Sequence, residues 1–262
     1  MRQNLFLLKE LVKRDFQGRY AGSLLGFFWS FIQPLWMLLL FSFVFSTVMK
    51  VSPAGTRTGH FGTFLFCGLL PWMALHEGVL RSSTAITDNS SLVKKLRFPS
   101  EILVLAVVLA ALLHEAIAGA LFLAVLVVLR EASWSGLPLL LLALPLQVCL
   151  TLGLGWLLAA VNVFFRDTSQ LIGMLFTGWF YFTPIVYPLT LVPERVRGWV
   201  SLNPLTPLVG LYRRALLGGG GGGAGTETWV EGTWALAAIA PLLALLGLWV
   251  FHRLRPAFVD EI

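Results

Sequence analysis

Charge is what this sequence most lacks. Asp, Glu, Lys and Arg make up 12% of its 262 residues, where soluble domains carry about 25%. That leaves too little polar surface to solvate a globule of this size and excludes an ordinary water-soluble domain. Cysteine is scarce too: Cys67 and Cys149 both sit in apolar runs, where a thiol behaves as a small hydrophobe. Two of them make neither a disulfide framework nor a metal cluster. Four histidines, His60, His76, His114 and His252, are scattered without ligand spacing. No Gly-rich loop leading into Lys-Ser or Lys-Thr occurs, which excludes ATP binding by the P-loop route. The run Gly218–Gly223 lacks the lysine such a loop needs. There is no Gly-x-Ser-x-Gly elbow and no His-Glu-x-x-His pair. His114 and Glu115 are adjacent, so on a helix they point about 100° apart and cannot hold one metal together.

What remains is apolar: 57% of residues are hydrophobic and the mean hydropathy is +0.82. Ala21–Met49 contains no acidic or basic residue, and about 20 apolar residues of helix suffice to cross a bilayer. Before it lie Arg2, Lys9, Lys13, Arg14 and Arg19. That charged region is long and the hydrophobic segment beyond it exceeds a signal-peptide core, so a cleavable leader is not expected. Residues 4–20 place Leu5, Leu8, Val12 and Phe16 on one helical face, the pattern of a basic helix lying in the membrane interface. Gly18, Gly22 and Gly26 can accommodate the bend into the first span.

The predicted fold is a single all-α integral membrane domain. An amphipathic interface helix covers 1–22, and six spans cover 24–49, 60–82, 101–129, 137–163, 168–188 and 231–252. A cytoplasmic helix covers 88–99. Gly198–Tyr212 is uncharged but too short to cross, with Pro204 and Pro207 inside it; such segments are re-entrant or interfacial. Residues 189–217 therefore read as two short helices dipping into the outer leaflet, or alternatively as an amphipathic surface loop. A Gly-rich linker covers 218–228. Lys and Arg favour the cytoplasmic side, and an inside N-terminus puts eleven basic residues inside against seven outside, with Arg81 at a boundary. Both termini are then cytoplasmic. The net charge of +6 calls for anionic headgroups of membrane lipids, not nucleic acid.

Three features bear on function. Glu115 lies near mid-span, where an ionisable group marks either a functional site or an interhelical hydrogen bond. Trp29, Gln33 and Trp36 recur at helical spacing in the first span, and Phe176, Phe180, Tyr181 and Tyr187 lie in the fifth. Aromatic faces offer contact area without strong directional bonds, so these side chains either line a path for sugar rings or serve as interface belt and helix packing. The loop DNSSLVKKLRFPSE (Asp88–Glu101) offers a short helix capped by Asp88 or Asn89, with Leu92, Val93 and Leu96 as its apolar side and Pro99 at its end.

Several stretches, taken together and in order, resemble the permease subunits of type-2 ABC exporters for polysaccharide, O-antigen and teichoic acid. They are LVKRDFQGRYAGSLLGFFWSFIQPLWMLLLFSFVFS (Leu11–Ser46), FLFCGLLPWMALHEGV, KKLRFPSEIL, VNVFFRDTSQL, FTPIVYP and NPLTPLVGLYRRALLG. The resemblance implies a homodimer in the inner (plasma) membrane, two copies of a separate cytoplasmic ABC ATPase holding ATP and Mg, and a lipid-linked glycan as cargo, with no cofactor, metal or catalytic residue on this chain. It also implies path-lining roles for Trp29, Trp36, Phe176, Phe180, Tyr181 and Tyr187. Asp88, Leu92, Lys94, Lys95, Leu96, Arg97 and Phe98 would meet the ATPase, and the helices in 189–217 would gate the outer end. The poly-Gly run departs from the family pattern. Competing readings are a type-2 exporter of a drug or lipid, and a membrane acyltransferase using His114 and Glu115.

Epitope tags fused to the two ends are expected to become accessible from the same, cytoplasmic face; tags labelled from opposite faces of intact cells contradict an even number of spans.

Overall fold

The computed structural model describes residues 2–18, 28–48, 61–94, 98–218 and 226–262. The described chain is helical, with no strand among the described residues. In chain order the helices are α1 (Arg2–Gly18), α2 (Trp29–Phe41, continuing as a π-helical segment Ser42–Val48), α3 (Phe61–Asp88), α4 (Ser90–Val93), α5 (Glu101–Val128), α6 (Leu140–Phe164), α7 (Thr168–Phe182), α8 (Glu194–Leu202), α9 (Leu205–Leu217), α10 (Thr226–Leu254) and α11 (Phe258–Glu261). Four of these stretches are long and apolar enough to cross a membrane: α3, α5, Leu137–Phe164 and Gly232–Glu261.

Two apolar clusters occupy opposite ends of the bundle. One joins Leu11 of α1, Ile86 of α3, Val93, the first half of α5, the second half of α6, and Phe251 and Phe258. The other joins Leu38, the first half of α3, the second half of α5, the first half of α6, α7 and α9. α3 and α6 therefore run opposite to α5, α10 runs parallel to α6, and the helices at both chain ends meet at one end of the bundle. An ion pair of Arg255 with Glu101 (3.0 Å) and a hydrogen bond from Arg255 to the Phe98 carbonyl (2.7 Å) fasten that end.

α6 and α10 pack along much of their lengths because glycines let their backbones touch. A Cβ on Gly247 would stand 2.2 Å from the Gly153 carbonyl oxygen, and one on Gly153 would stand 2.6 Å from the Leu243 backbone. In lipid, where apolar surface gains little from leaving the solvent, close backbone contact between small residues is a main source of helix association. At the far end of α5, Arg130 adopts φ 59°, and the amides of Glu131 and Ala132 return to the Leu126 carbonyl. The turn presents the Glu131 carboxylate to the Thr63 hydroxyl at 2.9 Å.

Several predicted boundaries move for physical reasons. The second span was placed at 60–82, but α3 continues to Asp88. Ser83 and Thr87 return hydrogen bonds to the Leu80 and Thr84 carbonyls, and Ala85 and Ile86 are buried. The fifth span was placed at 168–188, but α7 stops at Phe182. Thr183 is extended (φ −93°, ψ 134°), as the residue before Pro184 prefers. Within 88–99 the described helix is a single turn, α4. Neither Asp88 nor Asn89 caps it: Asp88 ends α3, and the Asn89 amide donates back to the Ala85 carbonyl at 2.9 Å. Gly22, Gly26, Lys95, Leu96, Arg97 and Gly219–Gly223 lie outside the described residues.

Overpacking a tight contact costs about 1–3 kcal/mol, so Gly247→Leu is expected to lower the melting temperature of the purified protein. Gly119→Ala and Gly173→Ala, where a Cβ meets nothing within 4 Å, are expected to leave it unchanged or raise it slightly. Melting curves in one detergent check both.

Candidate functional site

The aromatic residues divide into two sets. Trp29, Gln33 and Trp36 are exposed on one face of α2; Trp36 is 66% accessible, as is Tyr181 on α7. Phe176 and Phe180 instead pack toward α3. The Trp72 ring lies 5.6 Å from Phe176 and 5.5 Å from Phe180 between centroids, and Trp179 meets Trp72 edge-on. His76 completes the cluster, 5.4 Å from Phe176. Edge-to-face and tilted pairs of this kind each add about 0.5–1.5 kcal/mol beyond burial. Tyr187 donates its hydroxyl to the Tyr181 carbonyl at 2.9 Å, holding the turn after α7 against the helix end. The six residues thus give α7 an inner row that holds it against α3, and leave Trp29, Trp36 and Tyr181 presenting apolar rings outward.

Beyond α7 the backbone is irregular, and two buried side chains satisfy it. The Asn203 carboxamide lies at the α8–α9 junction. Its oxygen accepts from the Trp179 indole (2.9 Å) and the Leu205 amide (3.1 Å), and its NH₂ donates to the Thr183 hydroxyl (2.9 Å). Arg213 of α9 is 2% exposed. Its guanidinium donates to the carbonyls of Pro184 (2.8 Å) and Ile185 (2.7 Å) and lies 3.6 Å from the centre of the Phe64 ring. Gly68 makes room for it: a Cβ there would stand 2.9 Å from the Arg213 side chain. The sequence count treats Arg213 as one more basic residue outside. The structure makes it a clamp joining α9, α3 and the end of α7.

Glu115 belongs to a third buried group. The Gln147 amide of α6 donates to the Glu115 carboxylate at 2.6 Å, and the Tyr212 hydroxyl of α9 donates to the Gln147 carbonyl oxygen. Three helices, α5, α6 and α9, are tied through one glutamine. Beside them lies a cavity of about 450 Å³ lined in part by Gln33, Glu77, Arg81, His114 and Glu115. Among the described residues no cluster of three or more His, Cys, Asp or Glu side chains could hold a metal.

The end that gathers the chain ends carries the described residues of the other predicted contact set. Asp88 and Lys94 are exposed, and Leu92 and Phe98 are half-buried against the apolar cluster there. Arg81 of α3 pairs with Asp15 of α1 at 2.6 Å and with Glu77 at 3.4 Å, and Arg14 donates to Asn89 at 2.9 Å. α1 is therefore bonded to the same helix that carries Trp72 and Phe64. Sequence reading passed over Arg81, Gln147, Asn203 and Arg213. A glutamine at the middle of an uncharged run of 34 residues, and an arginine closing an uncharged run of 15, are the signals that could have found two of them.

With this geometry in view, comparison with known proteins is informative. The pattern of the ABC-2 type transporter family matches residues 7–217. The chain is 32% identical to the O-antigen export system permease protein RfbA of Myxococcus xanthus, covering 98% of this chain and 95% of the relative. It is 28% identical to the protein of that name from Klebsiella pneumoniae, over 97% and 94% of the two chains. With the polysialic acid transport protein KpsM of Escherichia coli it shares 24% identity over 81% of each. The matched region takes in α3, α5, α6, α7 and the α8–α9 pair with its buried clamps, and the chain belongs to the ABC-2 type transporter family.

Proposed function

We propose that this chain is the membrane-spanning subunit of an ATP-driven exporter that carries a lipid-linked, O-antigen-like polysaccharide across the inner membrane. It works as a homodimer with both termini cytoplasmic and with two copies of a cytoplasmic ABC ATPase, which hold the ATP and Mg. The observation that carries this reading is the similarity to O-antigen export permeases over 98% of the chain.

Features of the chain support the spans, the path and the coupling route in this reading. Besides the four long apolar helices, α2 with its π-helical continuation from Trp29 to Val48 reaches about 30 Å at 1.5 Å per residue. α7 reaches about 22 Å on the same rise and forms the body of a fifth span, with residues 183–187 turning at its end. Irregular backbone at membrane depth survives where protein covers it, and Arg213 and Asn203 provide that cover. α8 and α9 then lie in the outer leaflet as the gate. Trp29, Trp36 and Tyr181 line the path and present flat apolar faces to sugar rings. Phe176 and Phe180 hold that wall from behind, and Tyr187 fixes its outer end. Force from the ATPase enters at Asp88, Leu92, Lys94, Lys95, Leu96, Arg97 and Phe98 and at α1. It reaches α3 through Arg81, α7 through Trp72, and α9 through Phe64 and Arg213. Because Asn203 and Arg213 bond α9 to the end of α7, the α7–α9 segment moves as a body.

Two experiments follow. Asp88→Lys with Lys94→Glu, both at exposed positions, is expected to cut stimulation of the partner ATPase at least fivefold while the complex still copurifies; full stimulation contradicts the motor contact. Trp36→Ala with Tyr181→Ala removes two exposed rings, each offering about 1 kcal/mol of stacking. It is expected to slow export of lipid-linked glycan from proteoliposomes about tenfold at unchanged melting temperature. A variant that loses stability and keeps its specific export rate contradicts the lining role.

A further inference from the structure

We propose that the groove between α1 and α5 binds one anionic phospholipid, its acyl chain lying between the helices and its phosphate held by Lys9 and Lys13. The groove encloses about 710 Å³ and is walled by Leu5, Leu8, Val12 and Phe16 of α1 and by Leu109 and Leu113 of α5. Its walls are mainly apolar, and its polar lining residues are Lys9, Lys13 and Gln17. The two lysines are four residues apart, which sets their Cβ atoms about 5–6 Å from each other on one helical face. That spacing lets one phosphate accept from both ammonium groups.

Three other cations at this end of the molecule are already engaged. Arg14 is bonded to Asn89, Arg81 to Asp15 and Glu77, and Arg255 to Glu101 and the Phe98 carbonyl. Lys9 and Lys13 are exposed and make no hydrogen bond or ion pair among the described residues. The groove is also fixed in place. Leu11, on the opposite face of α1, is 6% exposed and buried in the apolar cluster with Ile86 and Phe258, and Asp15 is held by Arg81. A slot with apolar walls and two unneutralised ammonium groups at one edge complements an acyl chain joined to a net negative headgroup. A zwitterionic headgroup brings its own cation to the same edge and gains less. A basic residue near an anionic membrane surface contributes about 1 kcal/mol, so the two lysines together are worth roughly a thirtyfold preference.

The test uses the full chain purified from bilayers containing phosphatidylglycerol and phosphatidylcholine with matched acyl chains, and counts retained lipid by native mass spectrometry. The expected result is one phosphatidylglycerol held per chain in preference to phosphatidylcholine. Lys9→Gln with Lys13→Gln is expected to reduce that preference roughly thirtyfold, and Lys9→Arg with Lys13→Arg to keep it. Leu109→Trp, which fills the groove, is expected to release the lipid with both lysines still present; a monodisperse elution profile confirms that each variant is folded. Equal retention of the two lipids by the unmodified chain overturns the proposal. So does undiminished phosphatidylglycerol in the glutamine variant or in Leu109→Trp.

Discussion

A polar group inside hydrocarbon has no water to turn to, and this bundle is organised around the few polar side chains that answer one another there. Gln147 is the clearest case. In a largely apolar helix it receives the Tyr212 hydroxyl and donates to Glu115, so α5, α6 and α9 are bound through one carboxamide. Leaving any of the three unpartnered would cost the full desolvation of that group, about 1–3 kcal/mol and more for a charged one. The arrangement therefore permits one register of the three helices. Arg213 and Asn203 do the same for the end of the bundle where α7 stops. They take up the carbonyls and hydroxyl that the break in α7 at Thr183–Pro184 sets free.

Around these ties, packing follows the rule for lipid rather than for water. α6 and α10 meet at Gly153 and Gly247, where backbone touches backbone. The side of α10 that carries Trp234, Leu242, Leu245 and Trp249 is exposed, as suits a helix whose solvent is acyl chain. At the opposite end the ties are ionic and partly wet: Asp15 with Arg81, and Arg255 with Glu101. Surface ion pairs contribute little to stability, but these connect α1 to α3 and the start of α5 to the end of α10. A load applied to the face around Asp88 and Lys94 is in this way shared among helices that also form the wall of Trp72, Phe176 and Phe180.

Much of this was legible in the sequence, and the reasons differ by element. Charge-free runs marked the long helices because a bilayer tolerates few charges, and α5 (Glu101–Val128) starts and stops where charge resumes. Pro193 and Pro204 stand at the N-caps of α8 and α9, within the stretch 189–217 that the sequence divides into two short helices. What periodicity could not supply was partnership. Phe176 and Tyr181 sit five residues apart and read as equivalent aromatics, yet one is buried against Trp72 and the other faces outward. Arg213 and Arg214 are neighbours in sequence, and only the fold distinguishes the buried clamp from its half-exposed companion. The π-helical segment Ser42–Val48 left no sequence signal that was read as such.

The central claim is that the buried bonds of Asn203 and Arg213 make α7, α8 and α9 one body. The most direct measurement is the distance between spin labels at Met174 on α7 and Gly198 on α8, taken on the complex with its ATPase before and after ATP is trapped. A single distance distribution, the same in both states, is the expected result. A distribution that splits or shifts when ATP binds would show α8 moving independently of α7 and would contradict it.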